Sequence, residues 1–391
     1  MDVSPISLAA EGSKQVCNRC LYDDRVPKIS FDDSGICSYC KLHDQMEQEY
    51  PNGPEGERRL AAMVDEIRRA GKGKPYDCVV GVSGGCDSTY LLYRMKQYGL
   101  RPLAAYFDNT WTTTAATMNI RNATEALGVD LYTHVANNRE YDDIYRAFIA
   151  AGVPDIEGPT DLALAATHYH AAAKFGIRHI IEGHSFRTEG ISPLGWLYMD
   201  AKYVQSVHRK FGERTLTTIP QLWLSSQLRW MIVNRIKKVR PLYFMNYNKA
   251  EAMELMKREL GWQWYGGHHL DNRFTAFYHR YYMPVRFGID QRVLGCSALM
   301  RSGQMTRDEA LAEMATPPHL NPDIISITEF VKKRLGYSNN EFISLMEAPR
   351  HSYKEFVTYK KAFERLRPLF WLMYKLELVP KSFYIKFTAK D

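Results

Sequence analysis

The chain has 391 residues, 45% of them hydrophobic, 13% aromatic and 24% charged, with a formal net charge of +7. That length supports two or three domains around a sizeable core, and the composition excludes extensive disorder. The positive balance favours anionic ligands such as nucleotides, sugar acids or nucleic acid, yet no long Lys/Arg block singles out nucleic acid.

The opening segment, MDVSPISLAAEGSK, lacks the basic start and apolar core of a secretory signal. No uninterrupted apolar run reaches spanning length. The nearest candidate, Leu222 to Phe244, is broken by Arg229, Asn234, Arg235, Lys237, Lys238 and Arg240, so its spacing predicts an amphipathic helix packed on the core. A cytoplasmic protein is expected.

Cys17, Cys20, Cys37 and Cys40 form C-x2-C-x16-C-x2-C, the spacing of a zinc ribbon or knuckle. Each Cys-x-x-Cys turn presents two thiolates to one tetrahedral ion, and four protein ligands close the site, which predicts a structural Zn2+. The intervening residues read as a short hairpin turning at Asp33-Ser34-Gly35. Cys78 and Cys86 read as packing and bystander thiols, and Cys296 has no adjacent acid–base pattern. A Pro-, Gly- and charge-rich stretch at 49–59 predicts a linker, followed by a helix over Leu60 to Ala70.

Residues Cys78 to Leu92, CVVGVSGGCDSTYLL, read as strand, phosphate loop and helix. Gly84 and Gly85 let backbone approach an anion, the helix start offers free N–H groups, Ser83 and Ser88 add hydroxyls, and Asp87 suits magnesium bridging phosphates. The loop lacks the Gly-x4-Gly-Lys-Ser/Thr spacing of kinases and GTPases and has no lysine of its own. Further strands are expected at Pro102 to Asn109, Val129 to Val135 and Arg178 to His184, with helices at Trp111 to Gly128, Tyr141 to Ala151 and Thr160 to Phe175. This alternation predicts a doubly wound parallel α/β sheet, with Ser83–Ser88, Asp108–Asn109 and Glu182–Arg187 converging beyond its carboxyl ends.

Asp108 is a candidate contact to magnesium, nucleotide or substrate, or else a helix cap. His184, Arg187 and Glu189 share a glycine-bounded loop, where Arg187 is a candidate phosphate clamp. His168 and His170, two apart on a helix, read as surface or packing residues. Beyond about residue 205 the alternation stops and helical spacing takes over, predicting a mainly helical region that closes over the loop face. The expected domains are 1–58 (four-cysteine module), 59–205 (α/β ATP-binding) and 206–391 (helical, substrate or partner).

The SGGCDS loop resembles that of the PP-loop ATP pyrophosphatase superfamily. Residues 240–292 and 302–311, with the four-cysteine module, FDNTW at 107–111 and IEGHSFRTEG at 181–190, resemble the N-acetyl sugar amidotransferases of WbpG and PseA type. One departure is Gly266-Gly267-His268-His269-Leu270-Asp271, where His268 stands in place of the family's lysine.

The resemblance implies an ATP-dependent conversion of a sugar's acetamido group to an acetamidino group, through an O-adenylyl imidate, in surface-polysaccharide or flagellin-sugar biosynthesis. It assigns pyrophosphate to Ser83, Gly84, Gly85 and Ser88, with Asp108 also on the nucleotide, Mg2+ to Asp87, and phosphate or substrate charge to Arg187 and Arg273. Proton transfer falls to His184 or His269. Asn109, Trp111, Glu182, Glu189 and Asp271 are candidate substrate contacts, with a charge-paired helix surface as the alternative for Asp271 and Arg273. No cysteine pattern suits glutamine hydrolysis. The resemblance therefore implies ammonia from separate subunits similar to the glutaminase and cyclase-barrel pair of imidazole glycerol phosphate synthase. The acetamido sugar is expected to be UDP- or CMP-linked. Two rivals are a PP-loop transfer-RNA thiolation enzyme, which predicts a sulfur-carrying cysteine pair and a stronger basic footprint, and a nucleic-acid-binding ribbon, for which only Arg19, Tyr22, Arg25, Lys28 and Tyr39 offer basic residues interleaved with aromatics.

Overall fold

A computed structural model describes residues 15–193, 195–267, 269–376, 378, 379, 384 and 388. The opening segment read against a secretory signal and His268 lie outside them. The four-cysteine hairpin forms as expected, with Phe31 bridged to Cys37 and Gly35 at φ 74° in the turn. Helix α1 (Ser38–Glu49) follows directly.

The expected linker is instead mostly helix. Pro54 and Glu55 sit in the first turn of α2 (Gly53–Ala70), behind the N-cap Asn52. Proline has no N–H to lose at a helix start, and glutamate there complements the dipole, so residues that read as linker initiate a helix.

Next come β1 (Cys78–Gly81), α3 (Cys86–Gln97), β2 (Pro102–Asp108), α4 (Thr114–Leu127), β3 (Leu131–Val135), α5 (Asn138–Ala150), α6 (Gly158–Lys174) and β4 (His179–Ile181). A fifth strand, β5 (Lys237–Val239), follows α7 (Ala201–Phe211) and α8 (Leu224–Leu228). All pairings are parallel, in the order β3-β2-β1-β4-β5.

Leu103, Ala105 and Phe107 enter the core under α5 and α6, while Ala104 and Tyr106 enter the core under α2, α3 and α4. Helices thus cover both faces, as an all-parallel sheet requires. Fully burying a side chain such as Leu103 stabilises the fold by about 1.5–3 kcal/mol. His168 is a packing residue, buried with its ring where a Cβ on Gly81 would sit.

The span Leu222 to Phe244 is not one amphipathic helix. α8 runs into a π-helical turn, Arg229–Val233, and Arg235 at φ 53° breaks the chain before β5. Lys237 reaches Glu66 at 3.0 Å and Lys238 reaches Glu182 at 2.6 Å. The charges that interrupted the apolar run mark a sheet edge, where lysine guards against further pairing.

The remainder is mainly helical: α9 (Lys249–Leu260), α10 (Arg273–Phe277) running into a π-helical stretch, α11 (Arg292–Arg301), α12 (Arg307–Met314), α13 (Pro322–Leu335), α14 (Asn339–Glu347), α15 (Lys360–Arg365) and α16 (Arg367–Lys375). Among the described residues no helix is long and apolar enough to cross a membrane. The sheet order reverses at β1, whose neighbours β2 and β4 lie on opposite sides. The loops after β1 and β4 therefore face each other across a crevice, the usual ligand position in such sheets.

Candidate active site

After β1 the chain turns through Val82–Gly85 into α3, so Asp87 and Ser88 stand in the helix's first turn beside its unpaired N–H groups. Ser88 Oγ accepts the Ser83 N–H at 3.2 Å, and Ser83 Oγ accepts the Gly85 N–H at 3.2 Å. Gly84 is required: its φ is +81°, and a Cβ there would lie 2.2 Å from the Ala116 carbonyl oxygen. The Gly84 carbonyl accepts from Asn119 Nδ2 at 3.1 Å and Trp262 Nε1 at 3.0 Å. The segment after α9 thereby rests on the loop.

Asp87 is nine-tenths buried. Tyr247 donates to its Oδ1, and Lys249 Nζ donates to its Oδ2 at 3.2 Å. Burial opposes the charge on Asp87, but the Lys249 ammonium and the Tyr247 hydroxyl outweigh it and hold the carboxyl below its usual range. Glu189 goes the other way, raised well above that range by burial and then by the Asp87 charge. Asp87 and Lys249 therefore form the charged pair, beside a protonated Glu189.

His184 Nδ1 meets the Tyr243 hydroxyl at 3.1 Å, and its Nε2 lies 3.9 Å from Glu189. Burial, then Arg240, lowers its pKa to about 4. His269, at φ 62°, stacks on His279 with centroids 4.6 Å apart, and burial, then Lys249, lowers it to about 4. Both imidazoles are neutral at pH 7. Asp271 Oδ2 lies 3.9 Å from where a Cβ on Gly85 would sit, and the carboxyl is raised to about 6, chiefly by burial. Ser83, Gly84, Gly85, Asp87, Ser88, His184, Glu189, His269 and Asp271 are thus brought together.

Other candidates are committed elsewhere. Arg187, only 3% exposed, gives Nε and Nη2 to Glu47 at 2.8 and 2.7 Å and Nη1 to the Tyr243 carbonyl at 2.7 Å. It ties the loop after β4 to α1, and four of its five N–H donors are taken by Glu47 and the Tyr243 and Tyr50 carbonyls rather than facing the site. Glu182 accepts from Lys238 at 2.6 Å and Arg240 at 3.0 Å. Asn109 receives the Asn272 amide at 2.9 Å, and buried Trp111 donates to Asp142 at 2.9 Å under the Arg334 guanidinium. Asp108 accepts the Thr110 N–H at 2.7 Å. The Arg273 N–H donates to the Trp111 carbonyl at 3.0 Å and its Nη1 to the Thr112 carbonyl at 3.3 Å, binding α10 to this segment.

The four cysteine sulfurs, all buried, lie within 4.8 Å of one another, with separations of 3.6 to 3.8 Å where they touch. A tetrahedron with ~2.3 Å metal–sulfur bonds has edges of about 3.8 Å, so the thiols fit zinc. Asp87, held ionised, offers the carboxylate oxygens that magnesium takes together with substrate phosphates.

Residues 271–369 match the family described as LPS biosynthesis protein WbpG-like, C-terminal domain. The matched region begins at Asp271, whose carboxyl lies against Gly85 of the loop after β1. No curated protein matches the chain. Among solved structures, NMN synthetase from Francisella tularensis is similar at 16% identity and TM-score 0.27, over 53% of this chain and 92% of that one. The NH3-dependent NAD synthetase from Campylobacter jejuni subsp. jejuni NCTC 11168, in complex with the nitrate ion, is similar at 13% identity and TM-score 0.28, over 76% and 98%.

Tyr247 and Lys249 escaped the sequence reading. Their signal was local: Asn248 caps α9 through Ala250 and Glu251 N–H groups, which places Lys249 at the helix's first position. A cation there opposes the dipole. Such a broken rule marks a site with a partner elsewhere, here Asp87.

Proposed function

We propose that this chain, whose residues 271–369 match the WbpG-like family, is an ATP-dependent amidotransferase that converts the acetamido group of a nucleotide-linked sugar to an acetamidino group, in surface-polysaccharide or flagellin-sugar biosynthesis. The observation that carries this reading is Asp271: the first residue of the WbpG-like match lies against the Gly-Gly strand–loop–helix turn, its Oδ2 3.9 Å from where a Cβ on Gly85 would sit. An acetamide oxygen is a poor leaving group, so activation by ATP has a chemical purpose here.

Ser83, Gly84, Gly85 and Ser88 would grip the pyrophosphate of ATP, and Lys249 would supply the cation that the loop itself lacks. Asp87 would hold magnesium, which neutralises phosphate charge when bound. The acetamide oxygen attacks the α-phosphorus, forming the C–O–P link of an O-adenylyl imidate as the bond to pyrophosphate breaks. Ammonia then adds to the imidate carbon, and AMP leaves with the former amide oxygen. The imidazole of His184 or of His269, neutral at pH 7, would take the proton from the attacking ammonium.

Ammonia would come from a separate glutaminase subunit with a cyclase-barrel partner. In support, burial pushes the Cys86 and Cys296 thiols up to about 12 and about 11, and raises Cys78 as well. None of these three supplies a thiolate at neutral pH.

The test is release of AMP and pyrophosphate from ATP with magnesium and ammonium, with and without a panel of UDP- and CMP-linked diacetamido sugars, using Asp87→Ala as control. Sugar-dependent AMP release, with a product lighter by the difference between O and NH, is the expected result. AMP release stimulated only by unmodified transfer RNA would replace this reading with the thiolation enzyme.

A further inference from the structure

We propose that the four-cysteine centre positions the Asp87 cluster, acting through Arg301 and Gln304. Arg301 ends α11 and is 6% exposed, with Nη2 3.1 Å from Cys20 Sγ and Nε 3.4 Å from Cys40 Sγ. Its guanidinium also lies over the Tyr22 ring at 4.4 Å. Four thiolates on one divalent ion carry two excess negative charges, and a buried guanidinium against two of the sulfurs offsets one of them. Leu21 N–H to Ser297 Oγ at 3.2 Å and Arg307 Nη1 to the Cys17 carbonyl at 3.1 Å bind the same module to α11 and α12.

Three residues beyond Arg301, the chain reaches the opposite end of the relay. Gly303, at φ 71°, turns it back, and the Gln304 N–H bonds the Leu299 carbonyl at 2.8 Å. The Gln304 side chain then holds both residues that hold Asp87. Its Oε1 accepts the Lys249 N–H at 3.3 Å, and its Nε2 donates to the Tyr247 carbonyl at 3.0 Å. A second tie runs in parallel, since Ser302 Oγ donates to the Arg187 carbonyl at 2.9 Å and Arg187 is paired with Glu47 on α1, the helix that begins between Cys37 and Cys40.

Metal at the cysteines therefore fixes Arg301, Arg301 fixes the turn at 302–304, and the turn fixes the backbone from which Tyr247 and Lys249 reach Asp87. Arg301 and Gln304 are positioning residues, and their role in ATP use rests on the function proposed above.

Hydrogen exchange of the full-length protein, read over residues 247–251, tests the relay without any nucleotide. Arg301→Met should lose metal to a chelator ~10–100-fold more readily and raise exchange at 247–251. Gln304→Leu should keep its full metal content yet show the same rise, with ATP binding about tenfold weaker. Gln304→Leu with full metal and unchanged exchange at 247–251 would overturn the proposal. Because that variant leaves the centre intact, it decides the matter even if stripping the metal unfolds the chain. Failure of the unsubstituted protein to bind ATP would instead sink the proposed function, leaving the exchange result to judge the relay.

Discussion

Lys249 and Asp87, 162 positions apart in the chain, meet at 3.2 Å with a side-chain exposure of 16% and 12%. The pair places a lysine beside the loop after β1, which has none of its own. Lys249→Met should therefore lower sugar-dependent AMP release by ~100-fold or more, the scale on which a preorganised charge acts. Because the substitution also strands the Asp87 carboxylate, Lys249→Met with Asp87→Asn should recover thermal stability without recovering rate. Steady-state kinetics beside a melting curve separates the two effects.

Gly84 has no room for a side chain. Gly84→Ala places a methyl 2.2 Å from the Ala116 carbonyl oxygen at a φ of +81°, so the loop must shift. Loss of ATP binding is expected, with stability reduced by about 1–3 kcal/mol from the strained backbone; calorimetric titration and urea unfolding measure each.

Arg187 distinguishes a phosphate clamp from a structural tie. Its donors go to Glu47 and to the Tyr243 and Tyr50 carbonyls, and its loss leaves Glu47 half-buried without its cation. Arg187→Met is expected to cost about 3–5 kcal/mol of stability. A variant that keeps its melting temperature but loses ATP affinity would restore the clamp.

Glu157 supplies a pH test away from the site. It is buried, accepts from Tyr145 at 3.3 Å, and is raised to about 8, first by burial and then by Asp161. A carboxyl raised in the folded state is protonated there when the unfolded chain has ionised. Its contribution is complete below the unfolded value and is lost as pH rises through about 8. Stability should fall between about pH 5 and about pH 8 by up to ~1.4 kcal/mol per pH unit. Glu157→Gln should flatten that slope in urea titrations.

The parallel sheet, the loop after β1, the cysteine hairpin and the helical C-terminal region were all legible, because each rests on neighbours within a few residues. Strand periodicity, Gly-Gly backbone freedom and Cys-x-x-Cys spacing are local properties. β5 was not legible: three residues at a charged edge carry too little apolar pattern, and only their pairing with His179–Ile181 makes them a strand. The helix start at Gly53 was hidden for a different reason, since proline, glycine and glutamate serve linkers and helix N-termini alike.

The candidate site divides in the same way. The chain alone determined which residues could bind an anion and a metal, because those chemistries are written in residue type and spacing. Tertiary structure decided which charges remain available: it turned Arg187 toward Glu47, buried Trp111 under Arg334, and brought Lys249 and Tyr247 to Asp87 and Arg301 to the cysteines. Such pairings join residues far apart in sequence, and a buried charge settles wherever folding brings it a partner.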